Sequence, residues 1–157
     1  MPRDETVYYR QSRFTTHLPI DRRYSAAHYW LLEESAGIWR VGLTKFATRM
    51  LGDIVEFEFS APPGTAISVG EEIGSIEGLK AVTSVFSAGV GRFLGEGVPL
   101  RQDVTLAESD PYGKGWLYRL QGEPASDTVD VHGYVAILDL TIDKMLASRH
   151  ATGDEGS

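Results

Sequence analysis

Ile73-Gly74-Ser75-Ile76-Glu77-Gly78-Leu79-Lys80-Ala81-Val82-Thr83-Ser84-Val85-Phe86 reads as two short strands folded on one tight turn. Ile73 to Glu77 forms the first strand, Gly78–Leu79 the turn, and the apolar and β-branched residues from Ala81 to Phe86 the second. Lys80 therefore lies at or beside the tip of a predicted hairpin. A lysine there is ordinarily a solvated charge. It is also where a protein that carries an acyl arm needs its attachment amine, because a modifying enzyme must reach the amine and the loaded arm must swing clear of the core. Amide formation removes the ammonium charge and adds an apolar chain that performs chemistry the side chains cannot.

The segments around this hairpin extend the β pattern. Pro62-Pro63-Gly64 forces a loop and Val69-Gly70-Glu71-Glu72 a turn. Before them, Val55, Phe57 and Phe59 alternate with Ile54, Glu56 and Glu58 across Asp53 to Ser60, which predicts that the first set faces a core shared with Trp116; Ile54 alone blurs the pattern. His28 to Leu32 and Ile38 to Leu43 read as strands joined by the polar turn Glu33–Gly37. Thr44 to Leu51 reads as a short helix, with Thr44 as N-cap, Phe46 and Met50 at helical spacing, and Gly52 just beyond.

On the other side, Gly89, Gly91, Gly95 and Gly97 punctuate a strand, a long loop runs to Gly115, and Trp116 to Leu120 forms the last strand. From Asp130, Val131, Tyr134, Val135, Leu138, Ile142, Met145 and Leu146 recur at helical spacing, with Lys144 and Arg149 near the end to complement the helix dipole. The fold expected is mainly β, with a short internal helix and a C-terminal helix. Residues 1–22, where Arg3, Arg10 and Arg13 are spaced through polar residues, show no sustained period and are expected to be a mobile extension. One domain over 23–149 and a flexible tail over 150–157 complete the division.

Composition narrows the function. The chain has 157 residues, a net charge of −7 and no cysteine. An acidic surface has no footprint for a phosphate backbone, so nucleic acid is disfavoured. Without cysteine there is no disulfide, thiolate nucleophile or Cys-ligated metal, which suits a reducing cytoplasm. Met1 to Arg13 lacks the apolar stretch of a signal peptide, and no segment approaches a membrane-spanning length, so no membrane role is expected. Gly74 to Lys80 is G-x-x-x-G-x-K and Gly89 to Gly95 is G-x-G-x-x-x-G, and neither has the spacing of a phosphate loop. His17, His28, His132 and His150 lie far apart and form no metal motif, and no catalytic constellation stands out among the carboxylates.

Five blocks in order carry a more specific signal: His28-Tyr29-Trp30, Val41-Gly42-Leu43-Thr44, Leu51-Gly52-Asp53-Ile54-Val55, Gly74-Ser75-Ile76-Glu77-Gly78-Leu79-Lys80-Ala81, and Asp110-Pro111-Tyr112-Gly113-Lys114-Gly115-Trp116-Leu117. Over roughly Ala26 to Leu120 the sequence resembles the glycine-cleavage H proteins, which are relatives of the lipoyl domains. The resemblance implies a hammerhead fold, a flattened β-barrel or sandwich. It also implies lipoic acid bound covalently to Lys80 within the attachment turn Glu77, Gly78, Leu79 and Ala81, with His28, Tyr29, Asp110 and Tyr112 flanking the arm. In such proteins the lipoyl-lysine swinging arm shuttles an aminomethyl intermediate between glycine decarboxylase, an aminomethyltransferase and dihydrolipoyl dehydrogenase, and a lipoate ligase or lipoyl transferase loads the arm. The implied protein is a carrier and not an enzyme.

The sequence departs from the family pattern around the arm. Tyr29 stands where the family usually has Glu, Gly78 replaces a Ser, and the usual S-P-V-S-G appears as Ser87-Ala88-Gly89-Val90-Gly91. Two other readings share the scaffold. One is an H-like lipoate-binding protein serving a heterodisulfide-reductase-like complex in bacterial sulfur oxidation. The other is a hammerhead interaction module without lipoylation, against which the retention of Glu77, Lys80 and Ala81 argues.

Overall fold

The computed structural model describes residues 5–151. In chain order its elements are β1 (Thr6–Gln11), β2 (Phe14–Pro19), β3 (Arg23–Tyr24), β4 (Tyr29–Ser35), β5 (Ile38–Leu43), α1 (Lys45–Leu51), β6 (Ile54–Phe59), β7 (Ala66–Ile67), β8 (Glu72–Gly78), β9 (Val82–Phe86), β10 (Gly89–Glu96), α2 (Val98–Gln102), α3 (Leu106–Ser109), β11 (Tyr118–Pro124) and α4 (Val131–Ala151). A six-stranded sheet, ordered β3-β4-β5-β11-β10-β7, faces a three-stranded sheet, β6-β8-β9. All the pairings within them are antiparallel. The two sheets form a sandwich and not a closed barrel.

Alternation explains the core between them. In β8, Ile73 and Ile76 point inward on either side of a kink, and Val85 of β9, Phe57 of β6, Phe93 of β10 and Leu120 of β11 meet them. A second core lies where α4 covers the six-stranded sheet. Its members Tyr24, Trp30, Trp116, Tyr134 and Leu138 are all buried. Trp116 is thus in the core under the helix and not between the two sheets. Asp130 starts α4 by accepting a hydrogen bond from the Gly133 backbone N–H at 2.9 Å.

The strand phase in β6 differs from the alternation expected. Ile54 is 4% exposed and Val55 49%. The pairing of β6 with β8 shifts register between Ile54 and Glu56, so an extra residue is accommodated and Val55 turns to solvent. Phe57 is buried as expected, and Phe59 is partly buried against the same core. The loop expected before Gly115 contains α2 and α3. Pro99 in the first turn suits the start of α2, and Asp103 accepts hydrogen bonds from the Thr105 backbone N–H and hydroxyl just before α3. The last strand begins two residues later than expected, at Tyr118.

The largest difference lies at the N-terminus. Where an extension without regular structure was expected, β1 and β2 form an antiparallel hairpin running from Thr6 to Pro19. Phe14, Thr16 and Leu18 alternate inward. The hairpin docks on α4: the Tyr9 hydroxyl donates to the Asp139 carboxylate at 2.8 Å, and the Gln11 amide donates to Asp143 at 2.8 Å. Phe14 meets Phe46 of α1 edge-on, with centroids 5.5 Å apart. Residues 1–4 and 152–157 lie outside the described residues, and with them most of the expected C-terminal tail.

Candidate functional site: a lysine on a clamped hairpin tip

The β8–β9 hairpin turns at Leu79 and Lys80, both exposed. Its tip is fastened by backbone hydrogen bonds. Gly78 N–H donates to the Ala81 carbonyl at 2.8 Å and closes the turn. Leu79 N–H donates to the Asp53 carbonyl and Lys80 N–H to the Leu51 carbonyl, each at 2.9 Å. The tip is therefore clamped to the chain that leaves α1, while the Lys80 side chain faces outward.

Local sequence explains the clamp. Thr44 caps α1 by accepting from the Ala47 N–H, and Gly52 ends it at φ +78°, a conformation that glycine adopts without strain. A Cβ on Gly52 would lie 2.9 Å from Lys80 Cγ. A Cβ on Gly78 would lie 2.2 Å from the Leu51 carbonyl oxygen. The turn approaches α1 so closely that Gly78 leaves no space for the Ser of the family pattern. Glu77 is exposed beside the tip, opposite Glu56 on one side and Val82 on the other.

Lys80 sits on a ridge between two clefts. One, of ≈550 Å³, is polar and includes Lys45, Asp53 and Glu108. There burial, together with the neighbouring Asp53 carboxylate, pushes the Glu108 carboxyl above its ordinary range, while a hydrogen bond from the Ile54 backbone N–H acts in the opposite direction. The other cleft, of ≈650 Å³, has an apolar floor from Phe14, Phe46, Met50 and Leu146, and a rim that includes Arg13, Arg49 and Arg149. No residue lining this second cleft points to it in the sequence pattern, because its walls come from the unexpected β1–β2 turn and the last turns of α4.

The four residues expected to flank an arm line neither cleft, although Tyr112 bonds Lys45 of the polar cleft and the His28 ring lies 4.7 Å from that of Phe46 in the other. Tyr29 is buried, and its hydroxyl accepts the Phe86 N–H at 2.9 Å. Phe86 is at the end of β9 remote from Lys80. Tyr29 therefore braces the sandwich, and with Tyr118, whose hydroxyl accepts from the Ala88 N–H, it holds the chain between β9 and β10. Ser87 to Gly89 is itself buried, with the Ser87 hydroxyl donating to the Gly89 carbonyl at 2.6 Å. Asp110 orders its own loop by accepting from the Lys114 N–H at 2.9 Å. The Tyr112 hydroxyl accepts from Lys45 N–H at the start of α1.

His28 is a structural hub at φ +71°. Its Nδ1 lies 2.8 Å from the Tyr134 hydroxyl, which lies 2.7 Å from Thr44 Oγ1 and so ties α4 to the cap of α1. Burial pushes the imidazole down to about 4 from the ordinary 6.5. The folded protein refuses a proton that the unfolded chain accepts, so His28 leaves stability unchanged above about pH 6.5 and lowers it as pH falls from there toward 4. With the partial exposure of the ring taken into account, the loss is about 2 kcal/mol. NMR titration should find the His28 ring unprotonated down to about pH 5, and urea unfolding should weaken over the same interval. A ring titrating near 6.5 would refute this account.

Among the described residues no group of three or more His, Asp or Glu side chains could hold a metal ion, and no helix is long and apolar enough to cross a membrane. Fold and site together define a small β-sandwich module that presents a lysine on a clamped hairpin tip. The family model described as "Glycine cleavage H-protein" matches residues 22–135. The chain is 34% identical over 122 residues to the glycine cleavage system H protein of Pseudoalteromonas atlantica, a match spanning 76% of this chain and 94% of that one. It is also 34% identical over 120 residues to the H protein of Beutenbergia cavernae, across 76% and 95% of the two chains. The crystal structure of a glycine cleavage system H protein from Mycobacterium marinum superposes with a TM-score of 0.68 at 30% identity, covering 76% of this chain and 97% of that one. The chain belongs to the glycine cleavage H-protein family.

Proposed function

We propose that this protein is a lipoyl carrier of the glycine cleavage system, with the lipoyl group in amide linkage to Lys80. The observation that carries the reading is Lys80 itself, exposed on a tip whose backbone is held by Leu51 and Asp53, inside the span that matches the family. The residues present fit such a group: an accessible amine at the tip, and an apolar-floored cleft that begins at the Lys80 side chain. When bound, the dithiolane supplies the redox and aminomethyl-carrying chemistry that a chain without cysteine lacks.

The chain's own residues do the rest. The backbone bonds at Leu79 and Lys80 fix the origin of the arm, and Gly78 lets the tip lie against α1. Glu77, Leu79 and Ala81 form the exposed turn that a lipoate ligase or lipoyl transferase has to recognise. Glycine decarboxylase, aminomethyltransferase and dihydrolipoyl dehydrogenase are the partners that this reading assigns, and the protein itself works as a carrier and not as a catalyst. The test combines loaded protein with glycine decarboxylase and measures glycine-dependent exchange of carbon dioxide. Exchange that requires the lipoylated form is the expected result. Complete lipoylation at Lys80 without exchange would overturn the assignment to glycine cleavage while leaving the carrier role standing.

A further inference from the structure

The β1–β2 hairpin lies outside the family-matched span of residues 22–135, yet its turn stands beside Lys80. Arg13 lines the apolar-floored cleft together with Lys80, and Thr15 lines the polar one together with Lys80. The inner row of the hairpin fixes this placement, because Tyr9, Phe14 and Leu18 are buried in the core under α4. The outer row is Tyr8, Arg10, Thr15 and His17, all exposed, with Tyr8 opposite His17 and Arg10 opposite Thr15. Tyr8 is 57% exposed, and its ring leans on that of His17 with centroids 5.1 Å apart.

The charge of this face is opposite to that of the chain as a whole. Residues 6–20 include no Asp or Glu, in a protein of net charge −7. Neither Arg10 nor Arg13 takes part in an ion pair among the described residues. Asp139 and Asp143 of α4 lie against the hairpin, where they accept from Tyr9 and Gln11, and the carboxylates nearest the tip, Asp53 and Glu108, line the polar cleft. We propose that the outer face of the β1–β2 hairpin, with Tyr8, Arg10 and Arg13, is a docking surface for the enzyme that loads Lys80, and that the part of that enzyme which meets it is acidic. The inference rests on the assignment of the lipoyl group to Lys80. A loading enzyme has to bring its reacting carbonyl to the Lys80 amine itself, so its surface closes around the tip and over the adjoining hairpin. Enzymes served later meet the far end of the arm and can stand further off. Exposed, unpaired guanidinium groups attract an acidic surface over a distance and set its orientation, and an exposed tyrosine offers a broad contact with a polar end once the two have met.

The test loads the full-length apo-protein with the lipoate ligase or lipoyl transferase of its own source, following initial rates by intact mass and mapping the modified peptide. The Arg10→Gln/Arg13→Gln double variant, with its fold checked by circular dichroism, should show a KM for the apo-protein about tenfold above that of the parent. Added salt should weaken loading of the parent and leave the double variant nearly unaffected, because screening acts on exposed charges. Arg92→Glu is the control: it lowers the net charge by the same amount, Arg92 lies on β10 and lines neither cleft beside Lys80, and the parent's KM should be kept. The parent's KM in the double variant would overturn the proposal. So would an equal rise in Arg92→Glu, because total charge and not the hairpin would then be read. A lipoyl group mapped to another lysine, or a parent protein that its loading enzyme leaves unmodified, would overturn the attachment assignment and the docking together, whereas failure of the KM prediction alone leaves Lys80 as the attachment site.

Discussion

Lys80→Arg is expected to give a folded protein that stays entirely unmodified in a lipoate-fed host, while the parent protein gains one lipoyl group on Lys80 alone. The backbone clamp explains why the fold should survive. The hydrogen bonds at the tip come from Gly78, Leu79 and residue 80 main-chain N–H groups, which the substitution leaves in place. The side chain is exposed, and the arginine stem can follow the path of the lysine stem past Gly52. Exposed substitutions of this kind change stability by about 0.5 kcal/mol or less. Loading should be lost completely, because a guanidinium has no amine to enter the amide. The other lysines occupy different settings: Lys45 in the first turn of α1, Lys114 on the loop organised by Asp110, and Lys144 on α4. Intact mass and peptide mapping decide the matter, and a lipoyl group found on Lys45, Lys114 or Lys144 would end the assignment.

Phe57→Ala is expected to destabilise the fold by about 3–5 kcal/mol, whereas Val55→Ala should cost about 0.5 kcal/mol or less. The contrast follows from the register shift in β6. Phe57 is 3% exposed, its ring meets Phe59 edge-on at 6.1 Å, and the Arg101 guanidinium lies 4.1 Å from its centroid. Truncation removes the buried ring, leaves a cavity between the two sheets and takes away the cation–π partner of Arg101. Val55 faces solvent on the outside of the same strand. Urea unfolding of the two variants measures both. Equal losses would mean that the strand does not carry the bulge, and a loss below about 1 kcal/mol for Phe57 would place its ring outside the core.

The sandwich and its site were legible to different degrees. Period-two alternation marked β6, the Gly78–Leu79 turn with its apolar and β-branched flanks marked β8 and β9, and the Thr44 cap with Gly52 marked α1, because these signals are local and strong. Val55 was misplaced because one extra residue at a bulge inverts the facing of its neighbours, and alternation alone does not reveal where the extra residue sits. The N-terminal hairpin escaped for a related reason. Its inward row Phe14, Thr16, Leu18 has a hydroxyl at its centre, and its turn uses Ser12 at φ +57° where glycine or asparagine would have signalled it. The position of Lys80 could be read because the hairpin is contiguous in sequence. The clefts could not, since each joins residues far apart in the sequence, from Thr15 to Glu108 in the polar one and from Gln11 to Arg149 in the other. Tyr29 illustrates the limit of resemblance. It occupies a position expected near the arm, yet an aromatic ring in place of a carboxylate goes inward and braces β9.

The docking of β1–β2 on α4 also has a consequence for the order of events during synthesis. Tyr9 and Gln11 find their partners 130 and 132 residues further along. The β1–β2 hairpin must therefore wait until Asp139 and Asp143 have left the ribosome before it can settle. The tip at Lys80 closes on Leu51 and Asp53, which have emerged well before it. A nascent chain thus displays a finished Lys80 turn beside an unfinished wall. A modifying enzyme that meets it then would approach Lys80 from a flank that the β1–β2 turn later lines, and long-range closure of this kind is slow compared with local turn formation. Loading before release and loading after it would present that enzyme with two different surfaces.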